Sequence, residues 1–207
     1  SGKVRCWGLG ATGRLGYGNV YNIGDDAGEF PSTAGDINVG GDVIWVVAGG
    51  EHTCALLSTG KVRCWGRGNE GQLGYGNTNT FGDTAGEVPS DAGYVSIGGD
   101  VRQISAGDQH TCALLSTGKV RCWGSGQYGG LGYGNTNNFG DNAGEVPSDA
   151  GYVSIGGDVK QISAGFSATC ALLSTGTVRC WGWGAYGRLG YGNTNNIGDD
   201  AGEVPST

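Results

Sequence analysis

Six of the seven cysteines form three pairs whose members are ten positions apart. The pairs are Cys54 and Cys64, Cys112 and Cys122, and Cys170 and Cys180. Each pair brackets a Ser-Thr-Gly sequence that favours a tight hairpin turn, which would place the two cysteines opposite each other with Cα atoms ~4.5 Å apart. We therefore predict three cross-strand disulfides, an unpaired Cys6 and an oxidising compartment. Reduced core cysteines or metal ligands are the alternative, although the Cys-x₂-Cys spacing typical of zinc sites is absent.

Pairs of carboxylates recur in segments that are rich in glycine and asparagine. They are Asp83 and Glu87, and Asp141 and Glu145, with Asp-Asp-x-x-Glu sequences beginning at Asp25 and Asp199. These oxygens could bind Ca²⁺ together with backbone carbonyls, although the spacing is not that of a recognised calcium loop. The alternative is a solvated turn in which Asp caps backbone amides. A glycosidase is disfavoured because the pair recurs in every copy, whereas an active site normally occurs once.

Other chemistry-bearing residues do not form a catalytic set. His52 and His110 are the only histidines, and Ala168 occupies the same position further along the chain. We expect these histidines to pack or bond inside a turn. The Gly-x-Gly-x-x-Gly sequence near Gly66 opens no predicted helix, so dinucleotide binding is unsupported. We predict a protein that is not an enzyme and has no cofactor.

These residues recur because the chain is built from a 58-residue repeat. The sequence Val-Arg-Cys-Trp-Gly occurs four times at this spacing, and residues 61–118 and 119–176 differ at only ten positions. We divide the single domain 1–207 into repeats 3–60, 61–118, 119–176 and a truncated 177–207. A period of this length is typical of solenoids, propellers and repeat arrays.

Short β-forming runs separated by glycines predict an all-β fold with essentially no helix. Within one repeat, strands are predicted at 61–65, 94–97, 101–106 and 111–115, and the Ser-Thr-Gly turn leads into the next copy. About four antiparallel strands per repeat is typical of β-propeller blades. About three and a half repeats would form a partial or open propeller, or a repeat array. The recurring Trp7, Trp65, Trp123 and Trp181 are expected in the blade core, with carbohydrate stacking as the alternative.

The segment from Gly49 to Gly76 resembles the regulator of chromosome condensation repeat. Its Trp-Gly-x-Gly-x-x-Gly-x-Leu-Gly core occurs four times in the chain. The resemblance implies a β-propeller, usually of seven blades. The paired cysteines and the long Asn-Thr-Asn insert are similar to secreted bacterial members and not to the nuclear exchange factor. No nucleotide-exchange role is therefore carried over.

Differences among the copies concentrate in two loops. The loop after Trp-Gly and the loop before Thr-Cys-Ala-Leu-Leu contain Arg67, Asn69, Glu70, Asp108, Gln109, Tyr128, Phe166, Trp183, Tyr186 and Arg188. Successive turns of an up-and-down blade alternate between its two ends, so these loops should share one face, opposite the Ser-Thr-Gly turn. Aromatic residues and Arg are enriched at binding hot spots, so we predict that this face binds a protein partner. Neutral drift in tolerant loops is the alternative.

Bulk properties limit the kind of partner. The net charge of −7 disfavours nucleic acid, whose binding needs clustered Lys and Arg. No apolar run is long enough to span a membrane. We therefore predict a secreted or cell-surface protein-binding module. The alternative is a structural repeat protein that forms an extracellular fibre, coat or other homo-assembly.

The two ends of the chain correspond to the same part of the repeat. Residues 1–33 and 175–207 align, so two ends that meet could not complete each other, and Cys6 lacks its hairpin partner. We expect either a segment of a longer repeat protein or a homo-oligomer in which chains cover one another's exposed strand edges.

Overall fold

The computed structural model describes residues 2–206 and consists of three antiparallel sheets that follow one another along the chain. Each sheet has three strands in sequence order, with the middle strand paired to both neighbours. The strands are β1 (Val43–Ala48), β2 (His52–Leu57), β3 (Val62–Gly66), β4 (Val101–Ala106), β5 (His110–Leu115), β6 (Val120–Gly124), β7 (Val159–Ala164), β8 (Ala168–Leu173) and β9 (Val178–Gly182). This arrangement confirms the predicted all-β class and a partial propeller of repeated blades.

The fourth strand predicted in each repeat does not form. Tyr94 to Ile97 runs beside β3, where the Val95 N–H donates to the Val62 carbonyl at 2.9 Å, but it joins no ladder. Gly93 and Gly98 have φ of 75° and 77° and turn the chain at both ends of this four-residue segment. The segment packs Val95 and Ile97 into the core without extending the sheet.

Helical structure is limited to short turns. Five 3₁₀ turns of three residues each occur within residues 2–206, and this part of the chain has no α-helix. They cover Ala11–Gly13, Pro89–Asp91, Gln127–Gly129, Pro147–Asp149 and Ala185–Gly187. Three of them belong to the loop after Trp-Gly, so that loop is more ordered than a glycine-rich sequence suggests.

The cysteine pairs form the predicted cross-strand disulfides. Cys54 lies opposite Cys64 in the register of β2 and β3, and the two later pairs repeat this register. The Cα atoms of the three pairs are 4.1, 4.1 and 4.0 Å apart. Cys6 is the free cysteine of the described chain, and burial raises its pKa to about 11.

Consecutive repeats are joined through a main-chain carbonyl. The Arg14 carbonyl accepts hydrogen bonds from Thr53 Oγ1 at 2.8 Å and from the Trp65 indole at 3.0 Å. The same pair of bonds recurs at the carbonyls of Gln72 and Gly130. Each indole is therefore buried with its N–H satisfied, which a core tryptophan requires.

Three of the four recurring tryptophans are core residues as expected, and Trp7 is not. Trp65, Trp123 and Trp181 are 0% exposed, whereas Trp7 is 62% exposed. Each buried indole donates to a residue 51 positions earlier in the chain. Within residues 2–206 the Trp7 indole has no such acceptor, and its ring is left exposed.

The histidines pack against the glycines of their own turns, Gly49 and Gly107, as predicted, and their hydrogen bonds reach the next repeat. His52 Nε2 lies 2.8 Å from Thr111 Oγ1, and His110 Nε2 lies 2.8 Å from Thr169 Oγ1. Both histidines lie at the start of a middle strand and are buried. Burial lowers the pKa of His52 to about 3 and that of His110 to about 4.

The strands β4 and β7 are held together by side chains. The Gln103 amide donates to the Ile162 carbonyl at 2.8 Å and accepts from the Ile162 N–H at 3.0 Å. Ser105 Oγ accepts from the Ala164 N–H at 2.8 Å. These side chains satisfy main-chain groups of β7 that have no strand partner on that side.

Removing one disulfide should destabilise the chain without altering its fold. We expect Cys112→Ala combined with Cys122→Ala to lower the free energy of unfolding by about 2–3 kcal/mol, because the crosslink restricts the unfolded chain. Urea unfolding followed by tryptophan fluorescence measures this change. Cys6→Ala, which removes no crosslink, is the control. An unchanged urea midpoint in the double variant, or more than one free thiol in the denatured wild type, would contradict the assignment.

We expect the free energy of unfolding to decrease as the pH is lowered from 6.5 to 5, before the carboxylates become protonated. The unfolded histidines bind protons below their usual pKa of 6.5, whereas the native histidines remain neutral down to about pH 4 to 3. The unfolded state therefore binds more protons in this window, so stability decreases as pH falls below 6.5. Urea midpoints between pH 6.5 and 5 measure the slope. His52→Ala with His110→Ala, which gives both positions the residue that the third copy has at Ala168, should flatten it, and an unchanged slope would refute this explanation.

Candidate functional site

The two variable loops of each repeat meet at one end of the sheet. The Arg67 N–H donates to the Glu51 carbonyl at 2.9 Å, and the Trp183 N–H donates to the Ser167 carbonyl at 2.9 Å. The Ser-Thr-Gly turns close the opposite ends of the same strands, as the Gly118 N–H to Leu115 carbonyl bond shows. The variable residues therefore share one face, which we call the loop face.

Five residues of the third repeat and the truncated fourth repeat form a cluster of side chains that we call the aromatic cluster. Its members are Tyr128, Phe166, Trp183, Tyr186 and Arg188. The Tyr128 and Trp183 rings stack with centroids 5.3 Å apart, and the Phe166 and Tyr186 rings lie 5.9 and 6.2 Å from Trp183. The Arg188 guanidinium lies 3.8 Å from the centre of the Trp183 ring, which is cation–π geometry.

Two tyrosines of the aromatic cluster adopt an unfavourable backbone conformation. Tyr128 and Tyr186 have φ of 58° and 61°, in the left-handed region that bulky residues rarely occupy. Tyr186 is also 88% exposed, so burial of its ring does not offset this cost within the described chain. Such strain concentrates at binding sites.

The first repeat contributes a charged group to the loop face. Glu51 accepts a hydrogen bond from Arg67 and forms an ion pair with Arg14 at 3.0 Å. The Arg67 hydrogen bond, reinforced by Arg14, lowers the pKa of Glu51 below its usual value. Arg67 is therefore partly engaged within the chain, which the sequence pattern did not predict.

A groove lies beside the aromatic cluster, with a volume of about 540 Å³. Its lining combines two carboxylates, several amides and hydroxyls, and one aromatic ring. The lining residues are Glu70, Gln109, Ser125, Gln127, Tyr128, Thr136, Asn138 and Asp199. We call this the polar groove.

Glu70 is positioned in the polar groove by two amides. Asn138 Nδ2 donates to Glu70 Oε2 at 2.7 Å, and Asn69 Nδ2 donates to Glu70 Oε1 at 2.7 Å. Glu70 and Asn138 are 68 residues apart, so their contact was not predictable from either loop alone. The only sequence signal was that residue 138 is among the ten positions that differ between adjacent copies.

The predicted site residues therefore fall into separate groups. Five of them form the aromatic cluster. Glu70, Gln109 and Tyr128 line the polar groove, so Tyr128 belongs to both groups. Asn69 donates a hydrogen bond to Glu70. Asp108 lies outside both, and its main-chain N–H bonds the Phe166 carbonyl of the next repeat at 3.1 Å. Thr136 and Asn138 are groove residues that the sequence analysis did not name, and Asp199 was named there only as a candidate Ca²⁺ ligand.

The acidic segments use glutamate oxygens to close their own turns. Glu87 accepts from the Gly82 N–H at 3.1 Å, and Glu145 accepts from the Gly140 N–H at 3.3 Å. Burial raises the pKa of Asp141 above its usual value. The carboxylate that accepts the backbone N–H in these turns is therefore a Glu, where an Asp was expected. Within the described residues, neither Asp83 nor Asp141 belongs to a group of three or more acidic residues that could bind a metal ion.

A different acidic group brings three carboxylates together. Oxygens of Asp25, Asp26 and Glu29 lie within 4.8 Å of one another, and the two aspartates are exposed. Glu29 Oε2 also accepts the N–H groups of Gly24 and Asp26, as its counterparts do. This cluster is explained by the same turn.

The fold and repeat geometry agree with comparisons to known proteins. A family profile described as "Regulator of chromosome condensation (RCC1) repeat" matches residues 1–56 and 59–114, and a second profile of the same description matches 43–72, 101–129 and 159–188. The chain belongs to the regulator of chromosome condensation (RCC1) repeat family. Propellers of this family are typically protein-interaction or regulatory modules.

Relatives with these repeats include much longer proteins. The chain is 35% identical over 196 residues to the Ultraviolet-B receptor UVR8 of Arabidopsis thaliana, covering 93% of this chain and 40% of that protein. It is 33% identical over 201 residues to the human Probable E3 ubiquitin-protein ligase HERC3, covering 95% of this chain and 17% of that protein. The chain thus spans less than half the length of these relatives.

Solved structures share the fold. Human WBSCR16 superimposes with a TM-score of 0.72 at 24% identity, covering 98% of this chain and 48% of that one. Yeast RCC1 (Prp20), solved with Kap60 bound, gives 0.67 at 23% identity, covering 99% and 44%. Within residues 2–206, the short 3₁₀ turns provide no helix with the length and apolarity needed to cross a membrane.

The strain at Tyr186 can be tested through stability. We expect Tyr186→Gly to leave the free energy of unfolding within about 0.5 kcal/mol or to raise it, because Gly adopts positive φ without steric cost. Urea unfolding provides the measurement. The matched control is Leu189→Ala, a buried residue of the same loop, which should lower stability by about 2 kcal/mol or more. A loss of more than ~1 kcal/mol at Tyr186 would mean that its ring serves the fold.

Proposed function

We propose that this chain is a non-catalytic protein-binding module that holds its partner on the loop face. The observation that carries this proposal is the aromatic cluster. Phe166 and Tyr186 are 59% and 88% exposed, and Tyr186 keeps a strained backbone that its own contacts do not offset. A partner that covers these rings would bury the apolar area that the free chain leaves in water.

The loop face can diversify at one position because the acceptor there is a main-chain carbonyl, which every residue type provides. Position 14 of the first copy corresponds to Gln72, Gly130 and Arg188, and the carbonyl of each of the first three supports the next repeat. Side chains at this position are therefore free to change without loss of the inter-repeat bond. This freedom favours partner binding, and not a structural requirement, as the reason why the side chains at this position differ between copies.

We propose a secreted or cell-surface location, as in the secreted, cysteine-containing bacterial form of the repeat. Three disulfides, one in each sheet, support an oxidising compartment. The structure of Kap60 bound to yeast RCC1 (Prp20) supports a protein as the class of partner. The partner of this chain need not be related to Kap60.

A second candidate function is self-assembly into an extracellular fibre or coat. Exposed apolar side chains at the first repeat favour it, namely Trp7, Leu9, Ile44, Trp45 and Val46. Contiguous apolar surface of this kind marks interaction sites. Sedimentation at increasing concentration distinguishes the two functions, because only the second requires association of identical chains.

Substitutions on the loop face should weaken partner binding, and those at the opposite end should not. We expect Trp183→Ala, Tyr186→Ala and Phe166→Ala each to cost about 1–3 kcal/mol of binding free energy. Thr117→Ala and Lys119→Ala, at the Ser-Thr-Gly end, should stay within about 0.5 kcal/mol.

The experiment has two stages. A photo-crosslinking amino acid at position 186 identifies the partner, with position 117 as the matched control, and titration calorimetry then compares the variants. If the proposed function is wrong, the two ends will be equally sensitive, or sensitivity will be confined to the Ser-Thr-Gly end.

A further inference from the structure

We propose that the polar groove binds a Lys or Arg side chain of the protein partner, next to the surface formed by the aromatic cluster. This inference rests on the proposed function and specifies the chemistry of its partner. Four features of the groove carry it, namely its unpaired negative charge, its aromatic wall, its neutral polar lining and its size.

The charge of the polar groove is only partly compensated, because Arg67 lies near Glu70 but bonds Glu51. Glu70 and Asp199 line it, whereas no Lys or Arg of the described residues does. Glu70 receives two amide hydrogen bonds, and Asp199 receives one from Asn196 at 2.8 Å. Neutral donors orient a carboxylate without cancelling its charge, so both carboxylates attract a cation from outside the chain.

Glu51 provides an internal comparison for Glu70. Both belong to the loop face, but Glu51 is bonded to Arg14 and Arg67. Arg67, although near Glu70, donates to Glu51 instead. Glu70 is therefore oriented by neutral amides and bonds no arginine, whereas Glu51 on the same face bonds two.

The Tyr128 ring gives the polar groove a wall that also favours a cation. Tyr128 lines the groove and stacks on Trp183, which fixes its ring. Arg188 already lies over Trp183, so the ring system of this cluster accepts a guanidinium on its face. A partner cation between Glu70 and Tyr128 would combine a charge pair with a cation–π contact.

The remaining lining suits the main chain that carries the cation. Gln109, Ser125, Gln127 and Thr136 offer amide and hydroxyl groups that both donate and accept hydrogen bonds. The volume of about 540 Å³ lies in the range of small-ligand sites and admits one long side chain with its flanking peptide groups. A peptide segment with a single basic residue fits these features.

The test uses the full chain and two matched fluorescein-labelled peptides, Gly-Ser-Arg-Ser-Gly and the same peptide with citrulline in place of Arg. Citrulline preserves the shape of Arg and removes its charge. Fluorescence polarisation should show about 10-fold tighter binding of the Arg peptide, the effect expected for one charge-assisted hydrogen bond. The preference should shrink as salt rises, because the groove is open to solvent.

Conservative variants assign the effect to the groove. Glu70→Gln and Asp199→Asn should each weaken binding of the Arg peptide about 5- to 10-fold and leave the citrulline peptide unchanged. Asp83→Asn, an exposed carboxylate outside the groove, is the control and should change binding less than about 2-fold. Urea midpoints equal to the wild type would show that the variants are folded.

Each contrary result overturns the inference. Equal affinity for the two peptides, no binding of the Arg peptide at about 5 mM, or insensitivity to Glu70→Gln would each refute a cation site. Binding of neutral chitotriose that Glu70→Gln does not affect would assign the groove to carbohydrate instead. If Trp183→Ala abolishes partner binding while Glu70→Gln does not, the proposed function stands and the cation site fails.

Discussion

A single main-chain carbonyl in each repeat is the acceptor on which the stacking of this protein depends. It takes two hydrogen bonds from the sheet that follows it in the chain, one from a threonine hydroxyl and one from the indole of a fully buried tryptophan. A buried indole N–H without an acceptor would cost about 1–3 kcal/mol, so each core tryptophan requires its neighbour to be in register. The sheets, disulfides and loop face are all positioned by this requirement.

Because the acceptor is a main-chain carbonyl, the same loop can contain a position that is identical in every copy and a position that differs between copies. The side chain at position 72 changes between copies, but the glycine before it does not. A Cβ on Gly71 would lie 2.4 Å from the carbonyl carbon of Gly140, and a Cβ on the equivalent Gly129 would lie 2.3 Å from that of Gly198. The close backbone contact between repeats therefore requires glycine at position 71 and its equivalents. The residue that follows is not restricted in this way, so its side chain can take part in partner binding.

The free positions produce different surfaces on successive repeats. Glu51 of the first repeat pairs with Arg14 and with Arg67 of the second repeat. The second repeat also presents Glu70, which is bonded by amides, and the truncated fourth presents Trp183 and Tyr186. A partner that crosses the loop face would meet these in order. Because consecutive repeats are rigidly joined, the spacing between the negative groove and the aromatic cluster is set by the fold.

The sequence by itself determined the repeat, the all-β class, the register of the cysteine pairs and the sharing of one face by the variable loops. These follow from local rules, because a ten-residue spacing around a tight turn and alternation along short strands depend on residues near in sequence. The failed fourth strand at 94–97 also has a local cause, since flanking glycines with positive φ leave too few residues for a ladder.

Only the tertiary structure decided which of the variable residues act together. The contact of Asn138 with Glu70, the stacking of Tyr128 on Trp183 and the bond from His52 to Thr111 each join residues more than fifty positions apart. Residue types alone do not indicate whether a charge such as Glu51 is already paired or, like Glu70, left unpaired. That distinction depends on how one repeat is rotated against the next, and this rotation is fixed by buried packing that no single repeat contains.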